Sequence, residues 1–137
     1  MFSSIAEIRT AVRDRLAPVL PASWDWKPNV DTLTTASTPT VYIEFTGIAS
    51  SDETGPLARG YSAPQLNLVV TDPHTSTAKA EDAVDMHLLR VLSKIEYSDD
   101  LHWSTASKRR LENGQLAWII PLTALAYTPD PTPPIEE

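Results

Sequence analysis

Three histidines and one run of carboxylates are the residues in this 137-residue chain whose chemistry could do work. His74 follows Asp72 by two positions in a loop-like stretch, a spacing at which a carboxylate could steer an imidazole for acid–base transfer. A lone loop pair of that kind is far more often a turn or capping device. His87 falls on the polar flank of an amphipathic segment and reads as solvated. No histidine, His102 included, has the i, i+4 partner of a helical zinc motif. Glu81, Asp82 and Asp85 crowd one helix, where adjacent positions diverge, whereas a metal needs ligands that converge. A solvated or intersubunit face suits them better, and a place in the first turns also suits the helix dipole. The chain has no cysteine, which excludes disulfides, cysteine zinc sites and thiol nucleophiles. With four glycines it has neither GxxxxGK[ST] nor GxGxxG, and GxSxG is missing too. The expectation is a protein that is not an enzyme and needs no cofactor or metal.

Trp24 and Trp26 alternate in Ser23-Trp24-Asp25-Trp26-Lys27, which reads as a short strand with both indoles on one face. Such a pair could stack on a sugar or a base. A core or subunit-contact role carries more weight, because large aromatics dominate those surfaces.

Eighteen acidic residues against eleven basic ones leave a net charge of −7, which argues against a dedicated nucleic-acid binder. The one cationic cluster, Lys108-Arg109-Arg110, reads as a solvated turn before a strand. A negative surface is compatible with a channel that nucleic acid passes without sticking. Charges at Glu7, Arg9, Arg13, Asp14 and Arg15 interrupt the N-terminal apolar residues, so no signal peptide is expected. The longest apolar run, Leu116 to Leu122, is too short to span a bilayer as a helix.

The elements that would position these residues follow from periodicity. Ser4-Ile5-Ala6-Glu7 has capping-box spacing, and Ile5, Ile8, Val12 and Leu16 form one stripe, which places a first helix at 4–17 before Pro18 and Pro21 end it. The stretch 28–39 is a loop without periodicity. Val41, Ile43 and Phe45 alternate with Tyr42, Glu44 and Thr46 in a strand over 40–49 whose second face reads as wet. The polar stretch 50–59 holds Gly55-Pro56, and Tyr61 to Val70 returns as the partner strand, so the pair reads as a long hairpin with a wide tip. Asp72-Pro73 breaks the ladder and Ser76 or Thr77 can cap a second helix over about 77–95. Its stripe is Ala80, Val84, Leu88, Val91, Leu92 and Ile95, and its other face carries Lys79, Glu81, Asp82, Asp85 and Arg90. Asn113-Gly114 signals a hairpin between a strand near 101–111 and a last strand in which Leu116, Trp118, Ile120 and Leu122 alternate. Pro121 removes a ladder donor there, so that strand is expected at an edge or with a bulge. Residues 1–128 read as a single domain, and 129–137, with four prolines and three acids, as a disordered tail. The order of elements predicts an α+β fold, with two helices packed on one face of a mixed, mostly antiparallel sheet.

Taken together, the segments SSIAEIRTAVRDRLAPVLP, TPTVYIEFTGIA, ARGYSAPQLNLVVTDP, TAKAEDAVDMHLLRVL and QLAWIIPLTAL, in this order over about residues 2–128, resemble the tail terminator (tail completion) proteins of long-tailed bacteriophages. That resemblance implies an α+β subunit of a ring, usually hexameric, that sits on the end of the tail tube. The ring stops tube polymerisation and presents a surface to the head–tail connector. It implies self-association and contacts with the tail tube and neck proteins. DNA only passes through the channel, no membrane is involved, and the protein resides in the virion after assembly in the host cytoplasm. The residues that would matter are contacts: Trp24 and Trp26, Asp52, Glu53 and Arg59 of the 50–59 loop, Tyr61 beside it, the 28–39 loop, and the strand broken by Pro121. Other readings are another phage neck, connector or tube subunit, and, further off, a small ligand-binding or enzymatic α+β domain using the Trp24/Trp26 face.

Overall fold

Ser4 starts the first helix for a local reason. Its backbone is extended, and its hydroxyl accepts from the Glu7 amide at 3.1 Å, the geometry of an N-cap. Glu7 turns back one residue further than a capping box requires: its carboxylate accepts from the Ser3 hydroxyl at 2.6 Å and the Ser3 amide at 3.2 Å. These bonds, the hydroxyl's first, hold the Glu7 carboxyl below its ordinary range. Helix α1 runs Ile5–Leu16 and buries Ile8, Val12 and Leu16. It tightens into a 3-10 turn at Ala17–Val19, because Pro18 cannot supply the amide of another α-turn.

The computed structural model describes residues 1–27, 38–52, 54–73, 84–112 and 114–130. Glu53, His74, Ser76, Thr77, Lys79, Ala80, Glu81, Asp82 and Asn113, most of the 28–39 loop and the tail from 131 lie outside the described residues.

The main sheet is built from β1 (Asp25–Lys27), β2 (Thr40–Ala49), β5 (Tyr61–Thr71), β8 (Leu116–Ala124) and β6 (Leu101–Trp103), side by side in that order. Strand β7 (Ser107–Arg110) also lies along β8, and β9 (Ala126–Tyr127) lies along the start of β5. Only β1–β2 is parallel among these pairings. A separate hairpin, β3 (Ser51–Asp52) with β4 (Gly55–Pro56), sits at the tip of the β2–β5 pair, inside what reads in sequence as an open loop. Helix α2 runs Met86–Glu96 behind one irregular turn at Val84 and Asp85. Val84 of that turn, Leu88, Val91 and Ile95 of this helix and Ile8, Val12 and Leu16 of α1 share one buried cluster with Val41, Ile43, Leu66, Leu68, Val70, Ile120 and Leu122. Both helices therefore cover the same face of the sheet, the α+β arrangement expected. Each such aliphatic side chain contributes about 1.5–3 kcal/mol by leaving water.

Four expectations need correction. The face of β2 expected to be wet is dry at its proximal end: Tyr42, Val69 and Ala117 are buried there, with Leu111 and Ile119 packed on them. Alternation tells which residues share a face, but the apolar partners of Tyr42 come from other strands. Secondly, β8 is no edge strand, having β5 on one side and β6 and β7 on the other. Pro121 is accommodated because the outer neighbour is interrupted there. Trp103 pairs with Leu122 and Ser107 with Ile119, so Ile120 and Pro121 face a break that holds one extra residue. Thirdly, the expected 101–111 strand is two strands, and Lys108-Arg109-Arg110 belongs to the second rather than to a solvated turn. Lastly, His87 is not simply solvated. Its ring meets Trp24 edge-on at 5.3 Å, and its buried Nδ1 has no hydrogen-bond partner among the described residues.

The β7–β8 hairpin closes with Gly114 N–H donating to Leu111 O at 2.9 Å and Leu111 N–H to Gln115 O at 2.8 Å. Gly114 has φ +84°, as the left-handed position of a bulged three-residue turn requires.

Candidate functional site

The residues singled out as contacts do not form one patch. Strands β2 and β5 pair from Thr40↔Thr71 to Ala49↔Ala63, with a register shift at Thr46. Past that bulge the hairpin leaves the core, and Ile48 is 64% exposed. Asp52 stands at the tip, accepting from the Thr54 hydroxyl at 2.6 Å and amide at 2.9 Å. Those bonds lower its pKa below the ordinary carboxylate value. Arg59 is exposed in the return turn, and the Tyr61 ring lies on Tyr127 at 4.9 Å. Asp52, Arg59 and Tyr61 thus belong to the connection between β2 and β5, and Glu53 lies outside the described residues. Trp24 is elsewhere: it is core, 6% exposed, and Trp26 packs half-buried against the same cluster. The paired indoles therefore do not make an open stacking surface. Pro121 is exposed in β8, between the core residues Ile120 and Leu122, so it points to the sheet face away from the helices.

That helix-free face carries a cleft. His102, Thr123, Gln65 and Gly47 form one row across β6, β8, β5 and β2. The β3–β4 hairpin closes over the row and leaves about 570 Å³, with Asp52, Leu57, Ala63 and Asp99 in its walls. Asp100 borders it as well, but its carboxylate is engaged on the helix side. It accepts from both terminal nitrogens of Arg15, the longer contact being 3.2 Å, and from the Met1 amino group at 2.8 Å. The Arg15 bond, ahead of the opposing cost of burial and helped by the Met1 amine, lowers the Asp100 pKa to about 2. Its carbonyl also receives the Leu125 amide at 2.9 Å.

A second clasp ties α2 to the sheet. Asp85 accepts from Lys108 Nζ at 2.6 Å and from the Trp118 indole at 2.7 Å, and Lys108 sits 5.9 Å from that ring. This is where one acid of the sequence's carboxylate run ends up. Among the described residues no three His, Asp or Glu side chains converge as metal ligands. No helix among them is long and apolar enough to cross a membrane.

Sequence reasoning missed the outer face of α2. Met86, Leu89 and Tyr97 are 65%, 78% and 87% exposed, in one stripe with Ser93 at i, i+3, i+7 and i+11. Arg90 and Lys94 flank it, and Val19 floors a shallow groove beside it. The same spacing is present in the sequence, beside the inner apolar stripe of equal period.

No family model matches the chain, and no curated protein matches it. Among solved structures, a chain of the "Virion of native gene transfer agent (GTA) particle" is similar to it, 16% identical over 88% of this chain and 95% of that one, with a TM-score of 0.49.

Proposed function

We propose that this chain is a phage structural protein that forms a ring, hexameric in the family it resembles, on the end of the tail tube. There it stops polymerisation and offers the surface to which the head connector joins. Its work is binding, with no covalent step. The observation that carries the reading is the β2–β5 hairpin. It runs past its own core, exposes Ile48 and ends in a second small hairpin. Strand β1 covers only Thr40–Tyr42 of β2, so among the described residues the rest of that edge has no strand beside it. An open edge and a projecting arm are means by which subunits and tube can pair backbone to backbone. The net charge of −7 would let an acidic channel pass DNA without holding it. Free subunits can stay monomeric, because a tube end raises local concentration and supplies orientation.

The test is genetic. Cells infected by the parent phage without this protein should accumulate filled heads and separate tails, many of them overlong. Normal joined virions in such cells would remove the reading.

A further inference from the structure

We infer that neighbouring copies meet front to back: the outer stripe of α2 in one copy seats in the cleft beneath the β3–β4 hairpin of the next. This contact rests on the ring reading and gives it an interface.

An amphipathic helix in a two-layer domain turns polar residues outward. Helix α2 instead turns out Leu89 and Tyr97, 78% and 87% exposed, on a stripe whose opposite side already fills the core. Large apolar side chains exposed along one stripe, interrupted only by Ser93, are a feature of interaction surfaces. Charge identifies the occupant. Arg90 and Lys94 beside the stripe make no ion pair among the described residues, in a chain whose net charge is −7. Identical subunits of that charge repel, and opposite charges brought together locally offset the repulsion. The cleft supplies them: Asp52 and Asp99 stand in its walls, with Leu57 and Ala63 as apolar lining. Its volume of about 570 Å³ is of the order that holds a small organic ligand, enough for a leucine and a tyrosine side chain.

Geometry sets the symmetry. The stripe lies on the outer side of the helical layer and the cleft on the opposite face of the sheet. A contact between unlike faces is heterologous: it closes as a ring when the rotation between neighbours divides a full turn, and runs on as a filament when it does not. Two copies facing each other through α2 would instead oppose Arg90 and Lys94 to themselves.

The chain has no cysteine, so Leu89→Cys with Leu57→Cys places one thiol on each face. Oxidised on purified tails that carry the protein, the double variant should give a disulfide ladder longer than two chains, and each single variant only monomers. Leu89→Asp should leave the melting temperature in place yet lower occupancy of tail ends at least about tenfold. Arg90→Glu with Lys94→Glu should do the same, and adding Asp52→Lys with Asp99→Lys to that chain should restore occupancy. Rings without a ladder, dimers from Leu89→Cys alone, or a Leu89→Asp chain that occupies tail ends like wild type would each overturn the front-to-back contact while leaving the ring in place. A wild-type chain missing from tail ends would overturn both.

Discussion

Replacing Asp100 by asparagine keeps the shape of the side chain and removes its charge, leaving Arg15 and the Met1 amine facing a neutral amide. The wild-type Asp100 side chain is 10% exposed, and its carboxyl titrates at about 2 instead of 3.8. At about 1.4 kcal/mol per unit, that shift corresponds to about 2.5 kcal/mol of stability. Because the folded pKa is depressed, the contribution is complete above the unfolded value and is lost as pH falls through the folded one. Urea denaturation of wild type and Asp100→Asn should therefore differ by about 2.5 kcal/mol above pH 5, about 1.3 kcal/mol at pH 3 and under about 0.5 kcal/mol at pH 2. The closing of the gap is the signature, since a packing defect alone would not follow pH. A difference that stays constant from pH 6 to pH 2, or one below about 0.5 kcal/mol at pH 6, would refute the clasp as a source of stability.

Three other outcomes follow from the packing. Asp85→Ala should cost about 1–2 kcal/mol in denaturant melts and change Trp118 emission, because it strips both Lys108 and the indole of their acceptor; unchanged stability would mean that the pair is solvated. Gly60→Ala should destabilise more than Gly114→Ala in thermal melts. Both glycines have positive φ and should lose about 1 kcal/mol, but a Cβ at Gly60 would also sit 2.8 Å from the Tyr127 ring and 2.9 Å from the Thr128 carbonyl; equal losses would deny that close approach. Leu88→Asp buries an unpaired charge at a site 4% exposed and should unfold the protein or drive aggregation; wild-type melting would show that α2 faces the other way.

What the sequence determined by itself was local. Ser4 caps α1 through the amide of Glu7, three residues away, and Ile8, Val12 and Leu16 repeat at the helical period. Alternation from Val41 to Phe45 and from Leu66 to Val70 set the two long strands, because period two follows from the pleat of one chain. The inner stripe of α2 was readable for the same reason. Tertiary structure decided everything that depends on a second chain segment. Arg15 reaches Asp100 from a distant helix, Lys108 finds Asp85 across the helix–sheet boundary, and His87 meets Trp24. Tyr42 became core only when Val69 and Ala117 came alongside. Pro121 could lie inside the sheet only because the break between β6 and β7 fell opposite it. The cleft is assembled from β5 in the middle of the chain, β6 and β8 late in it, and the β3–β4 hairpin that precedes β5. Periodicity is a property of one segment's backbone geometry. Register, ion pairing and the covering of a second face are set by which segments meet, and those contacts exist only once the chain has folded.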